Sequence, residues 1–194
     1  ITATEVLLSM VVSPRATRAE ISDAANAVFD RTDAIMLSNE SAVGKYPVKA
    51  TSTLSKVASK TENQLEADQK LGGLSNFKNN ECTSAQCVSS CELSLESKAE
   101  FLVVHSPDGV LAREIASQRI FTTIIVFTES EKISRELTLV WGLNTIFSIK
   151  MNKKDVGNQM IEFLKKEKIL KKGTRVVIVS NSNQKEKIIS NVII

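Results

Sequence analysis

Cysteine, histidine, aromatic side chains and long apolar runs are all scarce in this chain, and each scarcity removes a class of function. Three cysteines in 194 residues, Cys82, Cys87 and Cys91, are an odd number without a C-x-x-C pair, so neither a disulfide-stapled secreted scaffold nor a zinc ribbon is implied. Cys87 and Cys91 lie one helical turn apart, but structural zinc takes four ligands, and the only histidine, His105, falls on a separate predicted strand. No metal site is read, and the cysteines are expected as buried or half-buried thiols in a reducing compartment. Aromatics make up 5% of the chain and do not interleave with basic residues as base-stacking surfaces require. No apolar run approaches the ~18–20 residues of a membrane span, and the N-terminus lacks the basic-then-apolar layout of a signal peptide. Neither nucleic acid nor membrane is expected as a partner, and the expected location is cytoplasmic.

What is present is ordinary globular material. Apolar residues make up 42% and charged residues 24%, with a net charge of +3, too small to imply a polyanionic partner. The charge is uneven: residues 1–80 carry 9 Lys/Arg and 9 Asp/Glu, so the excess lies beyond them. Between Lys150 and Lys172 there are eight lysines and three acids. They flank Val156, Met160, Phe163 and Leu164, an apolar stripe at helical spacing, and read as the solvated face of a helix rather than a nucleic-acid patch. The chain opens on Ile1 inside what reads as structured sequence, so it is expected to be a piece of a longer protein.

Along the chain, residues 3–10 read as a strand end turning into a helix. Thr17-Arg18-Ala19-Glu20 has the form of a capping box, and Ile21, Ala24, Ala25 and Val28 follow on one helical face. Ala34-Ile35-Met36-Leu37 is a short apolar run suited to a strand buried on both sides. It gives way to the polar loop Ser38-Asn39-Glu40-Ser41, and Pro47 then opens another helix. Residues 59–80 are polar, contain Gly72-Gly73, and are the expected connection between two domains. Beyond them, helices near 84–97, 109–118, 131–140 and the lysine-rich segment alternate with strands at 101–105, 122–128, 145–149 and 174–180. A last strand follows at about 187–194. This alternation predicts a three-layer α/β/α domain with a mostly parallel sheet. The last two strands lack an intervening helix and are expected to pair antiparallel.

Two stretches carry a family resemblance. The first runs Thr2-Ala3-Thr4-Glu5, then Pro14-Arg15-Ala16-Thr17-Arg18-Ala19-Glu20-Ile21-Ser22-Asp23-Ala24-Ala25-Asn26-Ala27-Val28. It continues through Asp30, Asp33-Ala34-Ile35-Met36-Leu37-Ser38 and Glu40 to Gly44-Lys45-Tyr46-Pro47. The second is Ile124-Ile125-Val126-Phe127-Thr128, then Ser134-Arg135-Glu136-Leu137 and Leu139-Val140-Trp141-Gly142. Both resemble pyruvate kinase, the first closely. The resemblance implies that residues 1–58 are the end of a (β/α)8 TIM barrel, that 59–80 connect, and that 81–194 form the family's C-terminal domain.

In such barrels the functional groups stand at the C-terminal ends of the strands, where Thr4 and Ser38 fall in this sequence. The resemblance implies catalytic roles for both: Thr4 contacting the substrate and delivering a proton to the enolate carbon, Ser38 in the surrounding polar network. A hydroxyl can donate, accept and relay a proton. Alone, each would read as a turn or cap residue. Arg18, Glu20, Asp23 and Asn26 also match family positions. They read either as a capping and packing network or, for Arg18 and Glu20, as support for the site. Departures are Glu5 for glutamine, Asn39 for glycine, Ser41 for threonine and Arg31 for glycine. Asn39 is expected to keep a left-handed turn, whereas Arg31 fits its position less well.

The resemblance further implies a parent enzyme that transfers phosphate from phosphoenolpyruvate to ADP, giving pyruvate and ATP in glycolysis, as a homotetramer. Its catalytic lysine, its Mg²⁺ and K⁺ ligands and its phosphate-binding arginines belong to segments preceding Ile1, so this chain alone is expected to be inactive. Where the family holds a phosphorylated effector on a T-x-S-G-x-T-A loop before a helix, this chain reads Ser106-Pro107-Asp108-Gly109-Val110-Leu111-Ala112. Asp108 puts a negative charge where a phosphate-contacting serine would stand, and Asn181-Ser182-Asn183-Gln184-Lys185 replaces a later glycine-rich loop. Sugar-phosphate activation of that kind is therefore not expected. The alternative to an enzyme fragment is a non-catalytic regulatory or binding module derived from the C-terminal domain, or a remnant with neither role.

Overall fold

Thr17 starts the first full helix. Its hydroxyl accepts the Glu20 N–H while the Glu20 carboxylate takes the Thr17 N–H, the reciprocal cap the sequence predicts. The resulting helix α1 spans Arg18–Phe29 and buries Ala24 and Val28. The computed structural model of the chain describes residues 1–72, 84–152, 155–180 and 187–193. These fall into two compact units, Ile1–Asn76 and Phe77–Ile194.

In the first unit the predicted strand at 34–37 is reduced to one parallel bridge between Thr2 and Ile35. It is held by Thr2 N–H to Ala34 O and Met36 N–H to Thr2 O, both 2.9 Å. A strand gains its stability from neighbours on both edges, and among the described residues these two strand ends have only one another. A single 3-10 turn, Leu8–Val11, follows the first strand end. After the second comes α2, Asn39–Ala42, in place of the expected polar loop. Helix α3 then runs Pro47–Gly72. Residues 59–72 of the expected connecting segment are thus the second half of α3, and 73–80 lie outside the described residues. Leu7, Met10, Ala24 and Ala50 form a small core, with Ile21, Leu37, Leu54 and Val57 packed against it.

The second unit is the expected α/β/α domain. Its helices are α4 (Ala85–Glu96), α5 (Val110–Ser117), α6 (Glu131–Leu137) and α7 (Val156–Lys166); its strands are β1 (Phe101–His105), β2 (Thr123–Thr128), β3 (Thr145–Ser148), β4 (Arg175–Ser180) and β5 (Lys187–Ile193). The sheet order is β3-β2-β1-β4-β5, parallel except for β5 against β4. Continuous Val/Ile runs suit strands covered on both faces, and successive residues divide between two cores. Leu102, Val104, Ile124, Val126, Val177 and Val179 meet Cys87 and Cys91 of α4 and Leu111 and Ile115 of α5. Val103, Ile125, Phe127, Val176 and Ile178 meet Val156, Met160 and Leu164 of α7, the predicted stripe of the lysine-rich segment. Phe163 of the same stripe packs edge-on to Phe127 and Phe147. Lys165, Lys166, Lys168, Lys171 and Lys172 are exposed. The expectation of thiols holds for Cys91 and not for Cys87, which is disulfide-bonded. No described helix is long and apolar enough to cross a membrane.

Candidate functional site

The parallel bridge sets the two strand ends side by side, so the loops leaving them begin at the same edge. Thr4 follows the first and Ser38 the second. Thr4 is exposed and sits at φ 70, with Glu5 next to it at φ 52. A β-branched residue in the left-handed region is uncommon and costly, and such conformations cluster where a chain is held for a purpose. Ser38 is half-buried, with φ −113 and ψ −102. Asn39 does not adopt the left-handed turn expected of it; it opens α2. Arg31 does stand at φ 63, in the conformation that favours glycine.

Two carboxylates grip the turn that follows Thr4. Glu40, 1% exposed, accepts the Leu7 N–H on one oxygen and the Ser38 N–H on the other, both at 2.9 Å. Glu20 accepts the Ser9 N–H at 2.7 Å and the Ser9 hydroxyl, besides the Thr17 groups of the helix cap. Burial pushes both carboxyls up. Hydrogen bonds from Ser9 and Thr17 outweigh it for Glu20, and backbone N–H groups of Glu40, Leu7 and Ser38 outweigh it for Glu40. Both groups are held below the usual carboxylate range. Of the supporting residues the sequence singles out, Glu20 thus touches the Thr4 loop, and Arg18 is exposed at the first position of α1. Sequence reasoning gave Glu40 no role; a glutamate two residues past a strand-end serine, in the first turn of a short helix, was the available signal.

In the second unit the ends of β1 and β4 meet where the connections turn from one side of the sheet to the other. Here Ser106 leaves β1, and its hydroxyl accepts the Ala112 N–H of α5 at 3.4 Å. Asp108 accepts the Val110 N–H at 3.1 Å. Gly109, at φ 76, caps α5, and a Cβ there would lie 2.9 Å from Ile133 and 2.7 Å from the Arg113 guanidinium. His105, 4% exposed, ends β1 with Nδ1 3.1 Å from the Ser180 hydroxyl. Its Nε2 lacks a hydrogen-bond partner among the described residues and lies 4.0 Å from Glu129. Burial pushes this imidazole below its ordinary value, and Glu129 opposes only in part. Among the described residues no group of three or more His, Cys, Asp or Glu is placed to hold a metal ion.

A pair of parallel strand ends with loop hydroxyls in the first unit and a five-stranded sheet between helices in the second define a two-part α/β protein. The pyruvate kinase barrel domain matches residues 1–51 and the pyruvate kinase alpha/beta domain matches residues 84–194. The chain belongs to the pyruvate kinase family. It is 39% identical over 155 residues to the pyruvate kinase of Clostridium acetobutylicum, covering 80% of this chain and 33% of that protein. It is 43% identical over 147 residues to that of Geobacillus stearothermophilus, covering 75% and 25%. The crystal structure of a Cryptosporidium parvum pyruvate kinase superposes with a TM-score of 0.78 at 27% identity, covering 98% of this chain and 39% of that one. The chain thus spans a quarter to a third of the length of these curated relatives.

Proposed function

We propose that this chain is the C-terminal part of a pyruvate kinase whose whole form transfers phosphate from phosphoenolpyruvate to ADP, giving pyruvate and ATP in glycolysis. Residues 1–58 are the end of the catalytic barrel, 59–80 connect, and 81–194 are the C-terminal domain. The observation that carries this reading is the pairing of strand ends, which brings the loops of Thr4 and Ser38 to one edge with Thr4 held at φ 70. Thr4 contacts substrate and helps to deliver the proton to the enolate carbon, and Ser38 belongs to its polar surroundings. Glu20 supports the Thr4 loop through Ser9, and Arg18 lies at the start of the same helix.

The parent uses Mg²⁺ and K⁺. Among the described residues no group of three or more His, Cys, Asp or Glu is placed to hold a metal ion. Phosphoryl transfer depends on charge neutralisation and in-line positioning, and the lysine and metal carboxylates that supply them belong to the preceding part of the barrel. The chain alone is therefore inactive. The whole enzyme is a cytoplasmic homotetramer without nucleic-acid or membrane partners. A lactate-dehydrogenase-coupled assay with phosphoenolpyruvate, ADP, Mg²⁺ and K⁺ tests this: the isolated chain reads background, and turnover that survives removal of host enzyme overturns the fragment reading.

The effector loop is degraded. Asp108 and Ser106 take up N–H groups of α5 that would otherwise face a bound phosphate, and Asp108 adds like charge. A second reading, a regulatory module acting without the barrel, draws support from the two-sided core of the second unit.

A further inference from the structure

We propose that Glu40 is a positioning residue that couples the Thr4 loop to the Ser38 loop. This rests on the functional reading above, in which those loops carry the reacting groups. A carboxylate has two acceptor oxygens and no donor. Glu40 uses one on each loop: Oε1 takes the Leu7 N–H, three residues after Thr4, and Oε2 takes the Ser38 N–H, each at 2.9 Å. The side chain is buried, so its reach across the gap is fixed by packing. Gly44 also approaches the same residue closely: a Cβ there would lie 2.6 Å from the Glu40 backbone oxygen. The left-handed backbone of Thr4 and Glu5 falls on one of the two loops that this one carboxylate ties together. An observed outlier needs surrounding contacts that over-determine it, and Glu40 supplies one at Leu7 while anchoring itself to the neighbouring loop at Ser38. Glu20 holds only the first loop, at Ser9.

The requirement is for charge as well as shape. Glutamine offers one acceptor and one NH₂ group, so Glu40→Gln must leave either the Leu7 or the Ser38 N–H facing a donor. The two loops then lose their common anchor, although side-chain volume is kept.

Residue-resolved amide hydrogen exchange by NMR on the chain tests the coupling. In Glu40→Gln, exchange at both Leu7 and Ser38 is expected to accelerate by about tenfold or more. The Ala50 amide, in the first turn of α3 and bonded to the Tyr46 carbonyl just before it, stays unchanged. Acceleration at only one loop, at neither, or equally at Ala50 overturns the proposal. If Glu40→Gln does not fold, Glu40→Asp keeps the charge but is one methylene short, and is held to the same outcomes. In the longer enzyme, Glu40→Gln should lower kcat by about tenfold or more while KM for phosphoenolpyruvate moves less than about twofold. The double variant with Thr4→Ala should be no slower than Thr4→Ala alone. Additive losses sink the positioning role. An unaltered kcat in Thr4→Ala by itself sinks the functional reading instead, and leaves the exchange result to judge the coupling.

Discussion

Arg31 holds a left-handed backbone at φ 63 just past the end of α1, where the family resemblance implies glycine. A Cβ in that region meets the following carbonyl and costs about 1–2 kcal/mol, part of which glycine returns as unfolded-state entropy. With the side chain removed in both variants, Arg31→Gly should be more stable than Arg31→Ala by about 0.5–1 kcal/mol, read as a higher urea midpoint with unchanged slope. The misfit at Arg31 was legible because a single residue type is favoured at that φ. Asn39 was misread for the same reason turned around: a glycine in a family pattern does not say whether its φ or its lack of a side chain is needed. Cys91 offers a second residue-scale test. Burial, with a smaller push from the charge of Glu92, raises its thiol to about 12, so almost no thiolate exists at neutral pH. Iodoacetamide should leave it unmodified in the folded chain and alkylate it readily in denaturant.

At the scale of single elements, α5 depends on the glycine that begins it. Gly109 combines φ 76 with close contacts from Ile133 and Arg113. Gly109→Ala should destabilise the second unit by about 1–3 kcal/mol, visible as a lower thermal midpoint. The elements themselves were largely readable from sequence. Apolar β-branched runs gave β1, β2 and β4, and the stripe Val156, Met160, Leu164 gave α7, because these segments bury faces that their own period defines. What escaped was structure set by distant partners. Whether 34–37 forms a strand depends on neighbours, and one bridge partner is present. The carboxylate grip on Leu7 and Ser38 likewise depends on loops that are adjacent in space and remote in sequence.

For the whole molecule, the two units should respond to acid in different ranges. In the second, His105 is pushed below the 6.5 of a free imidazole by burial. The unfolded chain therefore binds the proton first, and stability, full above 6.5, falls as pH drops through the folded value. In the first, Glu20 and Glu40 lie below 4.5, so their contribution is present above that pH and is lost as pH falls through the lowered values. Intensities of unit-specific NMR signals followed from pH 7 to 3 should show the second unit weakening first, and His105→Gln should remove that early phase. The units also differ in surface. Val12, Val43 and Val48 of the first are 66%, 74% and 80% exposed. A polypeptide of residues 84–194 should fold cooperatively by itself and bind less of the dye ANS than the full chain.

The position of β1 in the middle of the sheet has a kinetic consequence. On one side it pairs with β2, the next strand in sequence. On the other it pairs with β4, and the partners His105 and Ser180 are 75 residues apart. Closing so long an intervening loop costs entropy before its contacts form, and domains built on such remote pairings fold slowly. During synthesis β1 and β2 emerge together, while the other edge of β1 stays open until β4 has followed. For that interval the open edge is a row of unpaired N–H and C=O groups between apolar faces, a template for pairing with another nascent chain. The yield of folded protein is then governed by how quickly β4 arrives relative to a second copy, and should improve when translation is slow in initiation and fast in elongation.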